Sequence, residues 1–69
     1  MVEVFKTNIE KKTETETLIG VLSRSFPSLK INVDLSDCDR VLRVEGENIE
    51  CSTIMALVLE NGFLCEVIE

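Results

Sequence analysis

Residues 30–46 read KINVDLSDCDRVLRVEG, and this stretch decides the fold. Two groups of apolar residues alternate with polar ones in it: Ile31, Val33 and Leu35, then Leu42 and Val44. Strict alternation places one side of a strand in a core and the other side in water. Ser and Asp side chains are frequent in segment 36–40, where they can hydrogen-bond their own backbone and favour a tight turn. The stretch is therefore predicted to be a β-hairpin.

A strand and a helix are predicted before the hairpin. Segment 2–9 is extended, and its alternation is taken to place Val2 and Val4 on the buried face and Phe5 on the outer face. Polar loop 8–12 follows it. The segment thus supplies a first strand that leads directly into a helix.

The first helix is predicted from the spacing of its apolar and capping residues. Thr13 and Glu16 have the spacing of a capping box, in which a hydroxyl and a carboxylate each accept from a free backbone N–H. The apolar residues at helical spacing are Leu18, Leu22 and Phe26. Gly20 lowers helix stability by about 1 kcal/mol relative to Ala, and we expect it to allow close approach to the sheet. Pro27 ends the helix.

A second helix and a last strand are predicted after the hairpin. The helix runs from Cys51 to Asn61, and Gly62 stands where a left-handed residue commonly ends a helix. The inward residues of the last strand are Phe63, Cys65 and Val67. The order β-α-β-β-α-β predicts an α+β, ferredoxin-like two-layer sandwich, with strand order 4-1-3-2 and both helices on one face. The first loop, the Asp37–Arg40 turn and the Gly62 turn then share one end, opposite the Gly46–Glu50 connection.

Composition restricts the class of protein. The chain has 69 residues, 13 acidic and 7 basic, with a net charge of −6, which predicts a single acidic domain over 1–69 that is a poor ligand for nucleic acid. No signal peptide or membrane span is predicted, so a cytoplasmic location is expected. The three cysteines are an odd number, which argues against a disulfide framework in that compartment. The chain has no histidine, so Ser-His chemistry is excluded, and no enzymatic activity is predicted.

The chain resembles a heavy-metal-associated domain of the copper-chaperone type over nearly its whole length. The stretches that carry the resemblance are Leu18, Leu22 and Phe26-Pro27, Val33-Asp34-Leu35, Leu42-Arg43-Val44-Glu45-Gly46, and Ile54 through Asn61-Gly62-Phe63. The resemblance implies the ferredoxin-like fold. It also implies a metal site at the first loop, where family members that carry metal have M-x-C-x-x-C.

That metal site cannot be carried over to this chain. Counted back from Leu18, the two thiolate positions fall at about Lys11 and Glu14, and loop 7–12 contains no Cys, Met or His. A soft ion such as Cu(I) prefers thiolates, and a lysine would repel it. The sequence therefore predicts no catalytic, cofactor-binding or metal-binding residue. It resembles the heavy-metal-associated domains but lacks the two cysteines of their M-x-C-x-x-C motif.

Other groups of side chains receive structural interpretations. Cys38 is expected as a surface thiol, and Cys65 as a core thiol, although a metal site that uses both stays an alternative. The acidic residues near the first helix are Glu10, Glu14 and Glu16, and they are interpreted as capping and dipole compensation rather than cation ligands.

Two apolar patches predict a protein-interaction or self-association module, whose partner is a second copy of the chain or another protein. The first contains Leu57 and Leu59, which flank the inward stripe of the second helix. The second contains Phe5, Leu64 and Ile68 on the outer face of the sheet. Two alternatives stay open: a metal-binding or metal-trafficking protein with a non-standard site, and a small-molecule regulatory module of the ACT type.

Overall fold

The computed structural model describes residues 1–36 and 38–68, and it has the predicted order of elements. The strands are β1 (Val2–Thr7), β2 (Lys30–Asp34), β3 (Val41–Glu45) and β4 (Cys65–Val67). The helices are α1 (Lys12–Ser25) and α2 (Cys51–Glu60). The four strands form one antiparallel sheet in the order β2-β3-β1-β4. The predicted ferredoxin-like fold and strand order are confirmed.

The core lies between the sheet and the two helices. Its buried apolar residues are Phe5, Ile9, Leu18, Leu22, Ile31, Leu42, Val44, Ile54 and Val58. The alternation in segment 30–46 is confirmed, since β2 and β3 pair with Ile31 opposite Val44 and Val33 opposite Leu42. Neither helix in the described ranges is long and apolar enough to cross a membrane.

The prediction for the faces of β1 was wrong. Phe5 is completely buried, whereas Val2 is 47% exposed. Phe5 lies opposite Leu42, a core residue, while Val4 lies opposite the exposed Arg43. Apolar residues occur at both odd and even positions of this segment, so alternation alone does not decide which face of β1 is buried. A core that includes Phe5 and Ile9 removes more apolar area from water than one that includes Val2 and Val4. Phe5 therefore does not belong to an outer patch.

Two predictions for α1 were also wrong. The helix begins at Lys12, so Thr13 lies inside it, and its carbonyl accepts from Thr17 Oγ1 at 3.0 Å. Thr13 and Glu16 therefore do not form the cap. Gly20 is exposed, and a Cβ there would meet no side chain or other element of the described residues within 4 Å. It does not mediate close approach to the sheet.

Glycine has a clear structural role at the ends of two other elements. Gly62 has φ +90° and follows α2, as predicted. Gly46 has φ +151°, and a Cβ there would clash with the side chain of Leu29. The 46–50 connection is thus packed against the turn that leaves α1.

Candidate functional site

The first loop and two turns meet at one end of the sheet. The Thr7 hydroxyl donates to the Arg40 carbonyl at 2.6 Å, and the Thr7 N–H donates to the Asp39 carbonyl at 3.1 Å. On the other side of the loop, the Leu64 N–H donates to Asn8 Oδ1 at 2.8 Å. These bonds agree with the predicted placement of the turns, although Asp37 lies outside the described residues. We call this region the loop end.

The side chain of Ile9 anchors the loop end to the hydrophobic core. It is completely buried in the core, and its N–H donates to the Thr7 hydroxyl at 3.3 Å. Counted from the thiolate positions at Lys11 and Glu14, Ile9 stands where the M-x-C-x-x-C pattern has its methionine. The loop is therefore anchored by a hydrophobic side chain immediately before the start of α1.

Glu14 occupies the start of α1. Its Oε1 accepts from the N–H of Lys11 at 3.0 Å and from the N–H of Glu10 at 3.2 Å. These donors lie just before the first turn of the helix, where free N–H groups and the helix dipole favour an anion. The carboxylate of Glu14 itself thus provides the negative charge that this terminus favours.

The side chains at the two expected thiolate positions, Lys11 and Glu14, do not fit a soft metal ion. The Lys11 ammonium is exposed and cationic, and Glu14 offers hard oxygen atoms, one of which already accepts two N–H groups. Cu(I) selects thiolates and thioethers over such ligands. Over residues 1–36 and 38–68, no group of three or more His, Cys, Asp or Glu side chains could hold a metal.

The structure separates the three cysteines into one exposed thiol and two half-buried thiols. Cys38 is exposed in the turn at the loop end, while Cys51 and Cys65 are half-buried beside the core. Burial raises the pKa of Cys65 to about 11, and the nearby Cys51 adds to the rise. Burial, followed by the charge and hydrogen bond of Glu3, also raises the pKa of Cys51. Both inner thiols are therefore protonated at neutral pH and are poor nucleophiles and ligands.

Leucine side chains are exposed along β4 and α2. Leu59 is 62% exposed and Leu64 is 63% exposed, while Leu57 is half-buried. Leu59 and Leu64 border a shallow, mostly apolar depression of about 420 Å³, whereas Leu57 does not line it. Its lining residues are Ser52, Met55, Ala56, Leu59, Leu64 and Cys65. We call this surface the α2–β4 patch.

A second depression lies on the other side of β4. It measures about 430 Å³ and is lined by Lys6, Thr7, Asn8, Leu64, Cys65 and Glu66. Leu64 and Cys65 thus form the wall between two depressions. Farther along the outer face, Ile68 is 39% exposed and donates its N–H to the Val4 carbonyl at 2.9 Å. Val4, rather than Phe5, is the neighbour of Ile68 there.

Sequence reasoning identified the exposed residues Leu59, Leu64 and Ile68, but it missed two features of the site. Glu14 was grouped with other acids, and only the structure shows which backbone groups its carboxylate accepts from. The proximity of Cys51 to Cys65 was also missed, because the two residues start different elements. No local pattern in the sequence indicates that Cys51 lies near enough to influence the pKa of Cys65.

Comparison with known proteins gives a fold relation only. No protein-family model matches the chain, and no curated protein matches it. Among solved structures, it is similar to the yeast copper transporter domain Ccc2a, whose solution structure covers the apo and Cu(I)-loaded states. The TM-score is 0.82 at 18% sequence identity, over 99% of this chain and 94% of the yeast domain. The chain therefore has a fold like that of heavy-metal-associated domains.

Proposed function

We propose that this chain is a non-enzymatic protein-interaction module that makes its contacts through the α2–β4 patch. The observation that carries the proposal is the exposure of Leu59 and Leu64 on the borders of one apolar depression. Contiguous exposed apolar surface of this kind marks interaction sites in small soluble proteins. We propose that the module acts in the cytoplasm, where its free thiols stay reduced.

The energetics of a small domain support a function for these leucines. Burial of one leucine side chain contributes about 1.5–3 kcal/mol. The total stability of a domain of 69 residues is roughly 3–10 kcal/mol at the usual value per residue. The burial free energy of two leucines is thus comparable to the whole stability of the domain. In the free chain this burial is largely missing, and contact with a partner can provide it.

Two further observations support an interaction role over catalysis. The depressions are shallow and open, and they lack the histidine on which most acid–base and nucleophilic sites depend. Each borders β4, at an edge of the sheet, where a partner can reach backbone and side chains together. Self-association and binding of a different protein both follow from such a surface.

The test compares a double leucine variant with a single valine variant as the control. We expect Leu59→Ser with Leu64→Ser to abolish complex formation, seen by sedimentation velocity at high micromolar concentration and by cross-linking in the source cell. Val2→Ser changes an exposed apolar residue on the outer face and is expected to keep the complexes. Circular dichroism verifies that all variants fold. A strict monomer without cross-linked partners, or equal loss in both variants, would refute the proposal.

A second candidate function is metal handling through an unusual site. It is favoured by the fold relation to a domain solved with Cu(I) and by the exposed Cys38 at the loop end. Anaerobic titration with Cu(I) and with Zn(II), beside a Cys38→Ser variant, tests it. Tight binding that disappears in the variant would support metal handling, and affinity no better than millimolar would eliminate it.

A further inference from the structure

The outer edge of β4 offers free backbone groups. β4 is an edge strand whose single neighbour in the described sheet is β1, and Ile68 donates its N–H to the Val4 carbonyl across that pair. In an antiparallel ladder, alternate residues point their N–H and C=O toward the neighbour. Ile68 and Glu66 therefore face β1, and the groups of Cys65 and Val67 point to the open edge. An added strand can pair with these two residues.

The excess acidic charge of the chain lies in its C-terminal part, which includes this edge. Residues 1–43 contain seven acidic and seven basic residues and are neutral, whereas residues 44–69 contain six acidic residues and no Lys or Arg. The whole net charge of −6 thus belongs to residues 44–69, which form the end of β3, the 46–50 connection, α2 and β4. Glu66 is the charged residue of β4, and Lys6 lies opposite it on β1. Glu66 is exposed on β4, and Glu60 is exposed at the end of α2. An acidic surface attracts basic partners and repels acidic ones.

We infer that the open edge of β4 accepts an extended peptide segment in which apolar residues alternate with Lys or Arg. This inference rests on the proposed interaction function and names the class of partner. The added strand pairs with the backbone of Cys65 and Val67. Its two faces then meet two different surfaces of this chain.

The side chains beside β4 set the alternating pattern. Residues of the added strand on the helix side lie next to the α2–β4 patch, where Met55 and Leu59 favour apolar side chains. Residues on the outer side lie next to Glu66 and Ile68. Glu66 already has Lys6 opposite it on β1, and it favours a second cationic side chain at cross-strand distance on its open side. A strand with this alternation satisfies backbone, apolar and charged groups at once.

A second copy of this chain satisfies them less well. If two β4 strands pair about Glu66, that residue stands opposite itself, and like charges directly opposite are destabilising. A basic partner therefore fits this edge better than self-pairing does.

The experiment selects peptides from a displayed library of random sequences about ten residues long, enough to span the strand. The intact chain is the bait. Selected peptides are then titrated into the ¹⁵N-labelled chain. We expect enrichment of Lys or Arg alternating with apolar residues and depletion of proline, which cannot donate to a ladder. The amide signals of Cys65 and Val67 are expected to shift and to become protected from hydrogen exchange.

A charge reversal tests the role of Glu66. Glu66→Lys is expected to weaken binding of the selected peptides about fivefold or more, because an opposite-charge pair becomes a like-charge pair. Since residue 66 lies opposite Lys6 on β1, amide shifts of the free variant verify that the β1–β4 pair persists. Glu16→Lys makes the same change in net charge on α1, at an exposed site outside this edge, and is expected to change affinity less than about twofold.

Several outcomes would overturn the inference. These are no enrichment, enrichment of acidic or non-alternating peptides, equal effects of the two charge reversals, or shifts of Cys65 and Val67 with protein concentration alone, which would indicate self-pairing. If the Leu59 and Leu64 variants lose their complexes while Glu66→Lys keeps them, the interaction function stands and this partner class is wrong. If the leucine variants lose nothing, the proposed function itself fails.

Discussion

Removal of the Glu14 carboxylate is predicted to destabilise the fold at its loop end. Glu14 accepts the N–H groups of Glu10 and Lys11, at 3.2 and 3.0 Å. Loss of a capping acceptor costs about 1 kcal/mol, and loss of a negative charge in the first turn costs about 0.3–1 kcal/mol. We therefore expect Glu14→Ala to lower the free energy of unfolding by about 1.5 kcal/mol. For a domain of this size, Tm falls by roughly 6–12 °C.

The assay is urea and thermal unfolding followed by far-ultraviolet circular dichroism. Glu16→Ala is the matched control, because Glu16 is exposed on the same helix and is the residue that the sequence pattern predicted as the cap. Its expected cost is below about 0.5 kcal/mol. Glu14→Gln keeps an acceptor oxygen without the charge and should lie between the two. A larger loss for Glu16→Ala than for Glu14→Ala would refute the assignment of the cap.

Three other predictions follow from burial and pKa. Phe5→Leu is expected to cost more than 1 kcal/mol and Val4→Ala less in urea unfolding, and the reverse order would contradict the observed faces of β1. Gly20→Ala should raise the free energy of unfolding by about 0.5–1 kcal/mol, since its Cβ meets no neighbour; a loss of stability would mean that the site is crowded. The pKa of Cys65 is raised from 9.0 to about 11, so above pH 9 the unfolded chain releases this proton first and stability should fall toward pH 11. That slope should be smaller in Cys65→Ser, and iodoacetamide should alkylate Cys38 before Cys65; equal slopes or the opposite order of alkylation would contradict the burial of Cys65.

The fold was predictable where apolar residues occupy every second position of a segment and polar residues occupy the positions between them. In segment 30–46 the apolar positions alternate without exception from Ile31 to Leu35, so the faces of β2 follow from the sequence alone. In β3 Val41 lies on the outer face, but the charged Arg43 and Glu45 on that face still identify Leu42 and Val44 as inward. β1 does not meet this condition, because Val2 and Val4 compete with Phe5 and Ile9 for the core. Only the register against Leu42 decides between them. Tertiary packing thus settled what local alternation left ambiguous.

The candidate site was predictable only in part. The missing thiol ligands and the segregation of charge into residues 44–69 can both be read from the sequence. The capping role of Glu14 could not, because Thr13 and Glu16 present an equally good pattern two residues after the true cap position, Lys11. The two depressions at β4 could not either, since they depend on how Leu64 and Cys65 lie between α2 and β1.

The chain has a fold like that of heavy-metal-associated domains, but at its loop end the Glu14 carboxylate accepts the N–H groups of Glu10 and Lys11, and we propose that this end does not bind Cu(I). An anaerobic Cu(I) titration of the ¹⁵N-labelled chain tests it most directly, with Lys11→Cys combined with Glu14→Cys as the positive control. We predict that Cu(I) shifts the amide signals of residues 9–14 in the control and leaves them unchanged in the natural chain. Saturable shifts at Lys11, Glu14 or Cys38 in the natural chain, at equimolar Cu(I), would contradict the account.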